Sequence, residues 1–431
     1  MFKRAAIVAF LSFILTVLSC SAVFANGFKN DALLDTEATG MATLFVAQAD
    51  SPAAVQFNPA GLTQLKGNHA RVGYTSAIPR NFRTDTSGND QSSSQIDNFF
   101  IPSIYLVNNL KSENWKFGLG VTSPYGLGTD WADDSFARFQ TTESSLQVLQ
   151  INPTIAYKYN NTISLGFGID YIMSETSSHK RIADTTGLGD FHAKGNDDGW
   201  GYNLGLLVKP SEKYSIGVAY RSRVKLTYKG TISMTNLSSG IYGSGGLGYF
   251  PNDTYVTGME SRLTLPQTLA LGYAFKPDQK LTIETDAIWT DWSSVQEDFA
   301  KYTEEGDANR LAVLNDGNPL AKDWNATMSY GIAAKYQATD KLVLRCGYLY
   351  AETPVPAANF EPSMVDMDMH CVSVGAGYAL KKDLTVDAAY FGGFYKDRYI
   401  TNDIALSSGS DLDGMYESYV NVFSVSFTYK Y

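Results

Sequence analysis

The chain has 431 residues, a net charge of -10 and 13% aromatic residues, including 27 Tyr and 23 Phe. That length exceeds one small core and calls for several domains, a repeat array or one large barrel. A mean hydropathy of -0.16 argues against an ordinary helical membrane protein, and the acidic balance argues against nucleic acid as a partner.

A transmembrane barrel reconciles mild hydropathy with many aromatics. Only every second strand residue faces lipid, and Tyr collects at the two lipid–water interfaces. In chain order, residues 1–25 come first and read as a signal peptide. Lys3 and Arg4 form a positive region, Ala5 to Leu18 are almost all apolar, and Val23-Phe24-Ala25 has small-residue cleavage form. The expected mature start is Asn26. A transmembrane anchor and a lipoprotein start at Cys20 are the alternatives; the short apolar run and the cleavage site favour removal. No later stretch has the ~18 uninterrupted apolar residues of a membrane helix.

Residues 26–66 do not alternate. Ser51-Pro52 can open a short helix, and Asn58-Pro59 ends it, because Pro disfavours helix in the residue before it. A segment ahead of the first strand is either a periplasmic tail or a plug inside the barrel.

The barrel is assigned to residues 67–431. Fourteen alternating runs lie near 68–80, 98–110, 114–126, 145–159, 161–177, 197–209, 213–235, 257–275, 279–296, 322–336, 339–352, 367–379, 382–397 and 416–431. In the last run Phe423, Val425, Phe427, Tyr429 and Tyr431 share one face, and Val422, Ser424, Ser426, Thr428 and Lys430 the other. Short connections such as Lys111-Ser112-Glu113 alternate with long ones such as 236–256 and 298–321. Short periplasmic turns and long external loops produce that rhythm. The fold class is therefore an all-β, fourteen-stranded antiparallel barrel with a periplasmic C-terminus, in the outer membrane of a Gram-negative-type bacterium.

Phase within the seventh run places Arg221, Arg223, Lys225 and Lys229 inward and Val224, Leu226 and Tyr228 outward, because a charge on lipid costs about 2–4 kcal/mol at midplane. Arg345 is inward as well. These cations are candidates for a ligand carboxylate; the alternative is pairing with the inward acids Asp170, Glu284, Asp286 and Asp387. The loop 236–256 carries Leu237, Ile241, Tyr242, Leu247, Tyr249 and Phe250. Such an apolar loop serves as a capture surface, as a cap, or as both. Cys346 and Cys371 fall on opposite faces, which disfavours a disulfide. The four His show no catalytic partner by spacing, and no phosphate loop, metal cluster or cofactor motif appears. The expectation is a non-enzyme without metal or cofactor.

Several segments carry a family resemblance. Ser51-Pro52-Ala53-Ala54-Val55-Gln56-Phe57-Asn58-Pro59-Ala60-Gly61-Leu62 resembles the hatch of the FadL family of outer-membrane transporters for long-chain fatty acids and related hydrophobic compounds. Asn26-Gly27-Phe28, Ser123-Pro124-Tyr125-Gly126-Leu127, Tyr220-Arg221-Ser222-Arg223-Val224-Lys225, Leu265-Pro266, Asp291-Trp292-Ser293 and Thr353-Pro354-Val355-Pro356 extend the resemblance across the chain. It implies an N-terminal hatch with Asn58, Pro59 and Ala60 as its motif. It also implies a kink in strand three at Ser123, Pro124, Tyr125 and Gly126, where ligand leaves sideways. Pro124 lacks the N–H that a closed ladder needs, although it could instead end the strand at the membrane edge. The implied function is passive uptake of fatty acids or aromatic hydrocarbons by a monomer among outer-membrane lipid and lipopolysaccharide. A general porin is the main alternative, and a lipid hydrolase or an adhesin the remoter ones.

Overall fold

Alternation of apolar and polar side chains puts one face of each strand in lipid and the other in the lumen, and this pattern organises the computed structural model. It describes residues 27–88, 91–94, 98–182, 189–237, 247–250, 252–316, 318–402, 404 and 411–431. The expected signal peptide with Cys20, and the loop residues Ile241 and Tyr242, lie outside the described residues.

Fourteen antiparallel strands form a closed barrel. They are β1 (His69–Thr84), β2 (Phe99–Asn108), β3 (Trp115–Thr122 and Gly126–Asp130), β4 (Glu143–Lys158), β5 (Ile163–Ile182), β6 (Gly189–Ser211) and β7 (Tyr214–Arg221 and Val224–Thr235). There follow β8 (Tyr255–Leu265 and Thr268–Phe275), β9 (Leu281–Thr290), β10 (Thr327–Gln337), β11 (Leu342–Ala351), β12 (Met369–Ala379), β13 (Leu384–Tyr395) and β14 (Gly414–Lys430). Closure runs along the whole of β1, from His69 opposite Lys430 to Thr84 opposite Met415. Asn68 and Tyr431 extend it by exchanging backbone hydrogen bonds of 3.1 and 3.0 Å. Phe423, Val425, Phe427 and Tyr429 are exposed on the lipid face, while Val422, Ser424 and Ser426 are buried inside.

Several boundaries differ from the sequence reading. The sixth strand begins at Gly189 rather than near 197, and the tenth at Thr327 rather than near 322. The seventh and eighth runs are each broken, at Ser222-Arg223 and at Pro266-Gln267. Proline explains the second break, because it cannot donate to the ladder.

The segment before β1 lies inside the barrel. It contains the short helices α1 (Thr36–Thr39) and α2 (Ala54–Phe57) and a 3-10 turn, Pro59–Gln64. Leu33, Leu34, Met41, Leu44, Phe45, Val55 and Leu62 are all buried. The wall reaches it from many sides: Thr36 meets Ser424 of β14 at 2.7 Å, and the Ala42 N–H donates to Ser373 of β12 at 2.7 Å. Ser51 is not a helix cap: α2 starts at Ala54, and its preceding residue Ala53 supplies no side-chain cap.

The lipid face yields a stability prediction. Val425→Arg should lower the unfolding free energy by about 2–4 kcal/mol, and Tyr429→Arg at the interface by about 0–1 kcal/mol. Urea titration of vesicle-inserted protein measures both, and equal losses would contradict the placement of β14.

Candidate functional site: the filled lumen and the break in strand three

The lumenal segment has little regular structure, so its backbone polar groups need partners from elsewhere. The wall supplies them. Glu284 of β9 accepts from the N–H groups of Ala47 at 2.6 Å and Gln48 at 3.1 Å, and Asp286 accepts from Val46 at 3.1 Å. The sequence reading offered these two acids to lumenal cations. They serve backbone N–H groups instead, because the turn at 46–48 leaves those donors free of any helix or ladder.

Asn58 is fully buried and works in both directions. Its Oδ1 accepts from the Ala60 N–H at 3.2 Å and caps the 3-10 turn. Its Nδ2 donates to the carbonyl of Val46 at 2.8 Å and to that of Leu206 in β6 at 3.1 Å. Asn58, Pro59 and Ala60 fit against the wall because β5 and β6 present Gly166 and Gly205 there. A Cβ on Gly166 would meet Pro59 Cβ at 2.7 Å, and one on Gly205 would meet the Ala60 nitrogen at 2.8 Å. Neither glycine is visible as part of the site in the sequence, since nothing local marks the close approach of a distant segment.

An ion-pair chain fixes the other end. Arg71 of β1 bridges Asp35 at 2.5 Å and Asp387 of β13 at 3.0 Å. Arg345 of β11 bridges Asp387 and Glu37, each at 2.9 Å. Lys335 of β10 bridges Glu37 at 2.9 Å and Asp50 at 3.0 Å. Burial opposes the Glu37 charge, but Arg345 first, then Lys335 and Arg71, more than reverse this and hold its carboxyl well below the usual range.

In β3 the strand stops at Thr122 and resumes at Gly126. Pro124 therefore interrupts the strand rather than ending it. The first half pairs with β2, Val121 opposite Ile104, whereas among the described residues the second half pairs only with β4, Gly126 opposite Gln147. The backbone groups freed at the break are taken up by the lumenal segment. Asn30 N–H donates to the Pro124 carbonyl at 2.9 Å, and Gly126 N–H donates to the Phe28 carbonyl at 2.9 Å. Tyr125 turns inward against Phe28, ring centres 6.1 Å apart, and its hydroxyl donates to the Pro266 carbonyl at 3.3 Å. Ser123 is buried beside it. The breaks in β3 and β8 thus face each other across one aromatic contact.

A family model described as outer membrane protein transport protein (OMPP1/FadL/TodX) matches residues 16–431. The chain belongs to this family. A long-chain fatty acid transport protein of Escherichia coli O6:H1 is 26% identical over 322 residues, covering 68% of this chain and 70% of its own. An outer membrane protein of Neisseria meningitidis serogroup B is 25% identical, covering 96% and 97%. Among solved structures, a Pseudomonas aeruginosa FadL homologue has a TM-score of 0.79 at 22% identity, covering 95% of this chain and all of its own (100%). The Pseudomonas putida toluene transporter TodX has a TM-score of 0.70 at 18% identity, covering 94% and 99%. These two structures share the fold.

The basic row of this OMPP1/FadL/TodX member differs from the sequence reading. Arg221 is inward and pairs with Asp170 at 2.5 Å. Beyond the break at Ser222-Arg223 the phase inverts: Val224, Leu226 and Tyr228 are buried, and Lys225 and Lys229 are exposed on the outside. The lipid argument weakens there because the register, with Lys229 opposite Asn196, brings Lys225 level with the aromatic pair Tyr171–Trp200, ring centres 4.6 Å apart, beyond which β6 shows Asp198 and Asn196 outside. At an interface the penalty for Lys falls to about 0–1 kcal/mol and no longer fixes the phase. Arg223 is half exposed and meets Asp291 at 3.2 Å. Arg345 is inward, within the ion-pair chain.

Of the apolar loop residues, Leu237 and Phe250 are buried, Tyr249 is partly buried, and Leu247 is exposed. Leu237 and Phe250 join Met234, Met259 and Leu314 in one cluster, so this part of the loop caps its neighbour 298–321. Cross-strand contacts also reach the His residues, which spacing could not show. Ser177 meets His192 at 2.9 Å and Thr142 meets His179 at 3.0 Å. The carboxylate of Asp190 stands 3.5 Å from His179, not beside the His that meets Ser177.

Two outcomes follow for this family member. Gly205→Val should displace Asn58 and Pro59 and increase ion conductance in planar bilayers while heat-modifiable mobility shows a folded barrel. Unchanged conductance would mean that the wall, not the segment, yields. At the outer end, Gly27 N–H donates to the loop residue Asp366 at 2.8 Å. Burial pushes the Asp366 carboxyl up to about 8, against the pull of Gly27 N–H and Arg398. The folded state therefore holds a proton that the unfolded chain releases near pH ~4. The stability contributed by this site should be full below about pH 4 and be lost as pH rises through about 8. Thermal stability of the folded barrel across this range, flattened in Asp366→Asn, is the check.

Proposed function

We propose that this protein carries hydrophobic molecules passively across the outer membrane. The observation that supports this best is the meeting of lumenal segment and wall at the break in β3, where Phe28 and Asn30 complete the hydrogen bonds that β2 no longer supplies. The lumenal segment is the hatch. External loops collect ligand, and Leu247 is an exposed apolar contact for it. Ligand descends to the cavity beside Pro124 and Tyr125. Withdrawal of Phe28 and Asn30 then leaves the β3 break unpaired and open to the bilayer, so an apolar ligand can leave sideways without crossing water. The C-terminus is periplasmic and the protein works as a monomer.

A general porin has no use for a buried segment bonded to so many strands. The relatives' names agree with transport of apolar compounds: fatty acids for the E. coli protein and toluene for TodX.

Cells with and without the gene should differ in accumulation of labelled oleate, toluene or another apolar compound. Asn58→Ala removes the bonds to Val46 and Leu206 and should reduce that accumulation several-fold, with the barrel still folded by heat-modifiable mobility. Equal accumulation of every apolar compound tested, with and without the gene, would sink the transport reading.

A further inference from the structure

Arg221 is the guanidinium that faces the cavity beside the β3 break. The cavity is about 60 Å³, and Val46, Phe57, Ala270 and Ile288 give it an apolar wall. Two cations line it, Lys29 and Arg221. Lys29 is bound to Asp31 at 2.5 Å. Arg221 donates through Nη1 to Asp170 Oδ1 at 2.5 Å, and through Nη2 to the Gln56 carbonyl at 3.1 Å and Gln56 Oε1 at 3.3 Å. Both terminal nitrogens that could grip a carboxylate in parallel are engaged.

Asp170 is held in that position. It is 2% exposed, and Gln150 Nε2 donates to its Oδ1 at 2.8 Å. Its Oδ2 is buried with no hydrogen-bond partner. A carboxylate arriving at Arg221 therefore meets an anion that already owns the guanidinium. Arg71 and Arg345 each hold two carboxylates, but there Asp387 and Glu37 are shared with a second cation. At the cavity Lys29 is already balanced by Asp31 and Arg221 by Asp170, so an incoming carboxylate adds a negative charge that no further lining cation offsets. An uncharged molecule meets no such opposition and gains the apolar wall.

We propose that Asp170 is a specificity-determining residue: by occupying Arg221 it excludes carboxylates from the cavity and restricts the cargo to uncharged hydrophobic compounds. This inference rests on the transport reading above. It places selection in an internal acid that competes with the ligand's own charge.

The test uses full-length protein in phosphatidylcholine nanodiscs and two probes with the same chain, oleate and methyl oleate, at about pH 9, where a carboxylic acid is ionised. Wild type should bind methyl oleate at least tenfold more tightly than oleate. Asp170→Asn should raise oleate affinity at least tenfold relative to methyl oleate, and adding Arg221→Gln should remove that gain. Asp170→Ser repeats the test should the Asn variant not fold. Oleate binding as tight as methyl oleate in wild type, or an unchanged ratio in the folded Asp170 variants, overturns the role of Asp170 and leaves the transport reading standing. Failure to bind oleate, methyl oleate and toluene alike overturns both.

Discussion

Arg71 sits between an acid of the lumenal segment, Asp35, and an acid of the wall, Asp387, and all three are almost completely buried. That constraint governs the rest of the molecule. A buried charge without a partner costs several kcal/mol, whereas a matched set adds little net stability and a great deal of positional definition. The set here continues through Arg345, Glu37, Lys335 and Asp50, with signs alternating along it. Sliding the segment along the lumen would leave a charge unmatched at each step. The segment accordingly has one resting position. Asn58 then falls opposite Gly205, and Phe28 falls opposite the break in β3.

The same segment carries tension. Ala42, Thr43 and Ala49 have φ of 52°, 70° and 36°, in the left-handed region that residues with a Cβ avoid. Each such residue stores about 1–3 kcal/mol. Wall bonds, such as the one from Ala42 N–H to Ser373, hold this backbone in place. Apolar packing adds to these bonds, since Leu33, Met41, Leu44 and Phe45 share one buried cluster with residues of the wall.

Much of this architecture was legible in the sequence, because lipid imposes a period of two on each strand. Cys346 outside and Cys371 inside follow that period, as does the β14 row ending in Tyr429. The period lost its authority where lipid ends. At Lys225 the alternation of the sequence continues, yet a break of two residues has exchanged the faces, and at the level of the aromatic pair the cost of an outward Lys is small. The lumen was harder still. Asp170 and Asp387 could be read as inward acids, and both found arginines. Glu284 and Asp286 carry the same signature and found backbone N–H groups instead. The difference lies in which turn of the lumenal segment passes by, and spacing along a strand does not contain that information. Gly166 and Gly205 pose the same difficulty, since a strand glycine looks alike whether it faces a plug or empty space.

The order of the chain gives the Thr36–Ser424 contact a consequence for assembly. Thr36 belongs to the segment ahead of β1, and Ser424 belongs to the strand that seals the cylinder. Ala42 likewise waits for Ser373, and Asp35 and Glu37 wait for the cluster that includes Asp387. The earliest residues thus share their seat between middle strands, through Leu206 and Glu284, and the latest ones, through Ser373 and Ser424. Sealing the cylinder therefore completes the seat of this segment, because Ser424 lies on the closing strand. The seam between β1 and β14 thus does two things at once: it ends the row of strands and gives the inner segment its last wall.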